Sequence, residues 1–493
     1  MGAVGKIETQ KEGLFGRYPS SSGMFDEVFS SPGPVLGYYE KLIKNYNQID
    51  SKEYQIINEN AKKTFLNQGI TFATYNQNPK GVERIFPFDL FPRIIDKPEW
   101  DVIENGLIQR TYALNAFLHD LYHDKKILKD KIVPKELVFS SDNMLKEMNG
   151  LTPPGGVYSH ISGTDLIRHS DGEYYVLEDN IRCPSGVSYV LANRETMKRT
   201  LSHVFKQFKV ATVVDYPMAL LETLHSVKPN GVDEPLCVIL SPGIYNSAYY
   251  EHSSLAQKMG IELVEGRDLF VEQDFVYMHT IHGAHRVDVI YRRIDDAFLD
   301  PMVFNPESAL GVSGLMSAYR KGNVTIVNAP GTGVADDKAV YAFVPEIIKY
   351  YLGEDPILNN VPTYRCDVKS EASYVLEHME ELVVKPVDQS GGYGIFIGAQ
   401  ESKQSIEEQK KLIKSNPRGY IAQPIMNLSL HSTYIENKEK FEPRHVDLRT
   451  FTLLGKDYQH VLKGGLSRVA LKEGCLVVNS SQGGGSKDTW VVG

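Results

Sequence analysis

Residues Glu381–Gly398, ELVVKPVDQSGGYGIFIG, constrain the fold more than any other stretch of this chain. Leu382–Val384 and Ile395–Ile397 are β-branched or aromatic enough to form strands, and Asp388–Gly394 between them holds three glycines. The expected unit is a strand, a glycine-rich loop and a second strand. Lys385 stands where the first strand ends, so its ammonium can point at whatever the loop covers. Gly391, Gly392 and Gly394 let backbone N–H groups approach an anion with no Cβ in the way. Two readings fit these residues alone: a phosphate cover, or a plain hairpin with a glycine tip.

The 493 residues, 42% of them hydrophobic, allow two to four domains with substantial cores. No apolar run approaches the roughly 18 residues of a membrane span, and MGAVGKIETQKEG lacks the hydrophobic stretch of a signal peptide. Lys6 stands where a myristoylation signal needs Ser or Thr. Cys183, Cys237, Cys366 and Cys475 are far apart with no CxxC pair, which argues against a disulfide framework or a zinc site. A cytoplasmic protein is expected. A net charge of −9 gives no footprint for nucleic acid, so any bound anion needs a local basic cluster.

Along the chain, residues 1–23 read as a small, polar tail that orders only by docking on the body. Residues 24–130 read as mostly helical, with helical spacing over Tyr38–Gln68 and again from Val102 to Leu121, around a proline-punctuated segment, Ile85–Pro92. Residues 131–210 hold a hairpin, VYSHISGTDLIR and EYYVLEDNIR, turning at His169–Gly172. Residues 211–328 alternate strand and helix: Pro235–Leu240, Tyr249–Met259, Ile261–Val264, Val287–Tyr291. That order predicts a βαβ layer with a parallel sheet on the substrate side. Residues 329–440 carry a glycine loop, a helix through Val340–Ile348, the Lys385 hairpin, a charged helix Ile406–Lys414 and a short strand Tyr420–Gln423. Residues 441–493 close the core with strands at Val446–Leu454, Val461–Leu471 and Cys475–Val478.

Four patches carry chemistry. On EYYVLEDNI, Glu178 and Asn180 face the same side, and the hairpin partner can bring Asp165 opposite. Two carboxylates and an amide oxygen make a hard, oxygen-only set that suits Mg²⁺; by themselves they also fit a solvated strand face. GTGVADDK, Gly331–Lys338, is not a Walker A loop, and a lysine at a helix start opposes the macrodipole unless an anion is near. An exposed helix-start lysine is the plain alternative. The Lys385 hairpin is the third patch. The fourth, Tyr420–Pro424, ends a strand in Gln423 and a proline, where main-chain groups can meet an adenine edge.

Together LVVKP…SGGYG, GTGVADDK, DLIRHSDGEYYVLEDNIRCPSGVSY and RHVDLRTF…GGLSRVALKEGCLVVNSSQGGGSKDTW resemble the circularly permuted ATP-grasp family, the group related to the synthetase domain of glutathionylspermidine synthase. The resemblance runs from about Met24 to the end. It implies an α+β and α/β ATP-grasp fold in permuted order, with the metal set ahead of both lysines and a helical N-terminal region. It also implies Lys338 and Lys385 on the α- and β-phosphates of ATP, and Ser390, Gly391, Gly392, Tyr393 and Gly394 as the loop over the triphosphate. Gln423 falls on the adenine-side strand, and Asp165, Glu178 and Asn180 become the Mg²⁺ ligands. One departure matters. The family's arginine two residues before the metal Asp is here Gly163, so the catalytic arginine is sought among Arg182, Arg293 and Arg449, with Arg468 a further candidate.

The chemistry implied is ATP-dependent ligation of a small-molecule or peptide carboxylate to an amine through an acyl phosphate. The competing reading is a catalytically inactive nucleotide-binding component of a larger assembly, against which the presence of all five motif residues speaks. Cys183, three residues from Asn180, reads as packing rather than as a nucleophile.

Overall fold

The computed structural model describes residues 14–16, 18, 24–29, 35–74, 82–389, 394–476, 478 and 483–493. Two sheets face each other across a cleft, and a third layer buttresses one of them.

The predicted hairpin is present. Ile161–Arg168 pairs antiparallel with Tyr174–Asn180, placing Gly163 opposite Asn180 and Asp165 opposite Glu178. The register shifts between Asp165 and Leu166, a bulge that re-aims the side chains beside it. The turn closes through hydrogen bonds between His169, Gly172 and Glu173, with Gly172 at φ 86°.

This hairpin lies within a sheet of ten strands among the described residues. Its main path runs Asn359–Asn360, Tyr174–Asn180, Ile161–Arg168, Lys440–Arg449, Leu466–Val469, Gly485–Val492 and Phe88–Asp96. The last two strands pair in parallel, so the two ends of the chain share one sheet edge. The closing strands differ from expectation. Lys440–Arg449 and Thr452–Leu454 are separate, broken at Thr450–Phe451, while Cys475, Leu476 and Val478 are not in strand. The final strand is instead Gly485–Val492, GSKDTWVV, buried throughout. Its polar residues hid it from hydropathy; they are buried because Lys487 pairs with Asp89, and Asp488 takes Arg194 at 2.9 Å.

The N-terminal third also contributes. Phe88–Asp96 is the strand that the prolines disguised, and the helix Lys97–Tyr122 follows directly, capped by the Asp96 carboxylate on Glu99 N–H at 2.9 Å. Of the residues expected as a tail, Leu14 is buried and Phe15 stacks on Phe441 with ring centroids 4.5 Å apart. Just beyond, Glu27 reaches the buried Arg93 at 2.6 and 2.7 Å.

The βαβ layer forms as predicted. Four parallel strands lie in the order Thr325–Val327, Val289–Arg292, Cys237–Leu240, Glu262–Val264. A three-stranded antiparallel excursion, Leu269–Val287, was not foreseen. The small sheet holds Tyr364–Arg365, Tyr420–Pro424, Leu382–Pro386 and Phe396–Ile397. Its own core, including Val384, Ile406, Ile413 and Ala422, is built by laying the helix Lys403–Ser415 on it through residues seven apart. The helix expected through Val340–Ile348 is two, Lys338–Tyr341 and Val344–Leu352, because Pro345 cannot continue a preceding helix. Among the described residues no helix is long and apolar enough to cross a membrane.

Candidate functional site

The two sheets meet at an open cleft with an inner cavity of about 130 Å³. From the large sheet come Asp165, Glu178, Asp447 and Arg468; from the small sheet come Lys385 and Gln423; Lys338 closes one side. The rest of the lining is largely apolar, with Ile167, Leu177, Ile397 and Met426 among its residues. A lining of charged and apolar side chains together suits an anionic ligand that carries a flat ring.

Lys385 ends its strand as predicted and is buried. Its Nζ donates to Gln423 Oε1 at 2.7 Å, and Gln423 Nε2 donates to Thr363 Oγ1 at 2.9 Å. Both ends of the Gln423 amide are thus engaged within the small sheet, holding the lysine. Burial lowers the Lys385 pKa to about 8, with the Lys338 charge adding to the effect and the Glu178 carboxylate opposing it. Lys338 opens a single helical turn capped by Asp337, and its Nζ turns away from that turn toward the Gln389 carbonyl and Glu178, 3.6 Å away. Of the expected loop, Ser390, Gly391, Gly392 and Tyr393 lie outside the described residues. Gly394 has φ +71°, and a Cβ there would come 2.8 Å from Pro386 Cγ, so the position requires glycine.

Asp165 is held by two arginines. Arg449 Nε and Nη2 donate to its two oxygens at 2.6 and 2.8 Å, and Arg468 Nη2 donates to Oδ2 at 2.8 Å. Burial alone would raise this carboxyl; the two guanidinium groups outweigh it and hold the group below the usual carboxylate range. Asn180 Nδ2 donates to the Gly163 carbonyl at 3.2 Å and to Glu178 Oε1 at 3.4 Å, which leaves Oδ1 as the acceptor end of the amide. Glu178 has only loose ionic partners, Lys338 at 3.6 Å and Arg449 at 3.8 Å. With three hydrogen bonds on Asp165, one Oδ1 lone pair remains. That lone pair, Glu178 and Asn180 Oδ1 are hard oxygen donors of the kind magnesium takes.

The match to the circularly permuted ATP-grasp type 2 family model covers residues 92–470. The chain belongs to this family. It is 52% identical to an uncharacterized protein of Synechocystis over 95% of this chain and 97% of that one. It is 48% identical to an uncharacterized protein of Mycobacterium tuberculosis over 98% of this chain and 87% of that one. A putative glutamate–cysteine ligase of Frankia casuarinae is 38% identical over 95% of this chain, which spans about half of that relative, 53%. Among solved structures, a glutathione synthetase-like effector from Globodera pallida superposes with a TM-score of 0.57 over 90% of this chain and 98% of that one, at 12% identity. That likeness is one of fold.

Within the ATP-grasp cleft the arginines sort themselves. Arg182 pairs with Asp336 at 3.0 Å, and Arg293 is buried against Glu251 at 3.1 Å and the Tyr291 hydroxyl and Pro184 carbonyl at 2.7 Å. Neither lines the cleft, and nor does Arg449; Arg468 does. Arg293 instead fixes the segment after the hairpin, because Glu251 also accepts from Gly186 and Ser188 N–H at 2.7 and 3.0 Å. Arg449 and Arg468 alone of the four reach Asp165. Gly163 is explained by packing, since a Cβ there would lie 2.8 Å from Pro184 Cβ. Cys183 is half-buried, its pKa raised by desolvation, and donates to the Ile294 carbonyl at 3.5 Å. Sequence reasoning missed Asp447. The signal was its place two residues before Arg449 on one strand face.

Proposed function

We propose that this protein is an ATP-dependent ligase that joins a carboxylate to an amine through an acyl phosphate. The observation that carries the reading is the convergence of Lys338, Lys385, Asp165, Glu178 and Arg468 on one cleft that also has apolar lining. Family membership supports ATP as the nucleotide, and the ligase name of the longer Frankia relative supports the reaction class.

In this reading Lys385 and Lys338 bind the phosphates as cations on rigid supports, and the apolar walls take the adenine. Asp165, Glu178 and Asn180 would hold Mg²⁺, which when bound neutralises phosphate charge. The acid's carboxylate oxygen attacks the γ-phosphorus, the γ-phosphorus–oxygen bond to ADP breaks, and ADP leaves with the electron pair. The amine nitrogen then attacks the acyl carbon, the carbon–oxygen bond to phosphate breaks, and the nitrogen loses a proton to solvent. Arg468 lines the cleft beside Asp165, where it can grip the charged oxygens of the phosphoryl group and the acid, and Arg449 holds Asp165 in place.

Hydroxylamine tests the reading. With ATP, Mg²⁺ and a panel of amino acids, dicarboxylates and short peptides, an acyl phosphate is trapped as a hydroxamate. The expected outcome is acid-dependent ADP release with hydroxamate formation, both absent in Lys385→Met. ATP consumption that phosphorylates an added substrate and yields neither hydroxamate nor amide would contradict it.

A further inference from the structure

The strand Lys440–Arg449 carries a buried carboxylate that the reaction above leaves unused. Asp447 lines the cleft and is 1% exposed. It stands directly opposite Arg468 across the antiparallel pair with Leu466–Val469. Arg468 Nε donates to Asp447 Oδ1 at 2.8 Å and to Oδ2 at 3.1 Å, and Nη2 makes a further short contact to Oδ2. The same Nη2 donates to Asp165 Oδ2 at 2.8 Å. Nη1 takes part in neither pair.

This geometry separates the two arginines. Arg449 meets Asp165 through its Nε and Nη2 edge and also donates Nη1 to the Ser185 carbonyl at 3.3 Å, so its fork is largely engaged with Asp165 and backbone. Arg468 spends that same edge on Asp447 and touches Asp165 with one nitrogen. A buried ion pair of this kind contributes little net stability, because desolvation offsets most of the attraction. What it supplies is orientation: a guanidinium clamped along one edge is fixed in plane and position, so little rearrangement is needed when charge develops beside it.

Building on the ligase reading, we propose that Asp447 is a positioning residue that clamps Arg468 in the cleft wall, so that the guanidinium meets the phosphoryl oxygens in transit between nucleotide and acid. Asp447 acts through Arg468 and does not touch the reacting atoms. Its effect therefore falls on the transferring phosphoryl group and not on binding of the nucleotide as such.

The test is calorimetric titration of the full chain with MgADP, with and without aluminium fluoride, which imitates a phosphoryl group in flight. Wild type should bind MgADP about tenfold or more tightly when aluminium fluoride is present. Asp447→Asn should bind MgADP alone within about twofold of wild type yet lose that gain, and Asp447→Glu should recover part of it. A purely structural role would move both affinities together. An Asp447→Asn protein that keeps the full gain overturns the proposal, as does a wild type that binds MgADP with no gain at all. If Asp447→Asn does not fold, Arg468→Lys serves: a lysine cannot present a fork, so retention of the gain in that variant is equally fatal. A wild type that binds no nucleotide would defeat the ligase reading itself and this inference with it.

Discussion

Raising the pH from 7 to 9 should weaken nucleotide binding through one proton on Lys385. Burial holds this ammonium at about 8, against an ordinary value of 10.5, and the charged groups facing it are Glu178, Asp165 and Lys338. A bound polyphosphate favours the charged form, so binding must supply whatever proton the free protein has lost. For a group titrating near 8 the uptake is about 0.1 proton at pH 7, about 0.5 at pH 8 and about 0.9 at pH 9. Above pH 8 the dissociation constant then rises toward tenfold per pH unit, about 1.4 kcal/mol. Stability of the ligand-free fold should move the other way. The unfolded chain keeps this proton to about 10.5 while the folded chain releases it near 8, so folding gains stability between those values. Opposite signs distinguish this titration from general alkaline unfolding. Calorimetry at pH 7, 8 and 9 in two buffers of different ionisation enthalpy reads the uptake directly, with Lys385→Met as the control. An uptake that does not change with pH, or one that persists unchanged in Lys385→Met, would refute the reasoning.

Four further outcomes follow from the ion pairs. Asp165→Asn leaves Arg449 and Arg468 buried without their shared counter-ion and should cost about 3–5 kcal/mol in urea unfolding. Glu178→Gln, at a side chain 21% exposed with no ionic partner closer than 3.6 Å, should cost under about 1 kcal/mol while still weakening magnesium-dependent nucleotide binding. Arg293→Ala should lower stability by about 3–5 kcal/mol through the stranded Glu251, yet leave nucleotide affinity in the folded fraction unchanged, as calorimetry would check. Glu27→Ala should be comparably destabilising by urea titration, since it leaves the fully buried Arg93 unpaired.

What was legible in the sequence was local. The Asp165 and Glu178 hairpin could be read because alternation on each strand and the HSDG turn fix register within twenty residues. The parallel layer could be read from apolar runs alternating with one helix, and Lys385 from its place before a glycine-rich loop. What escaped is non-local. Gly485–Val492 looks like a polar tail until Asp89 and Arg194 arrive to neutralise Lys487 and Asp488. Phe88–Asp96 looks like a broken loop until the C-terminal strand pairs with it, almost 400 residues away. The choice among arginines turned on the same point. Arg293 ends a strand of the parallel layer and looked available, but Glu251 and the Pro184 carbonyl claim it. Arg468 and Asp447 become a pair only when their two strands lie side by side.

The most direct test of the account is nucleotide binding itself. Titration of the protein with ATP, with and without Mg²⁺, should show binding that depends on the metal and weakens by tenfold or more, at least about 1.4 kcal/mol, in Glu178→Ala and in Lys385→Met. Wild-type protein that binds no nucleotide with Mg²⁺ present, or that binds it equally well without the metal and in both variants, would contradict the assignment of this cleft.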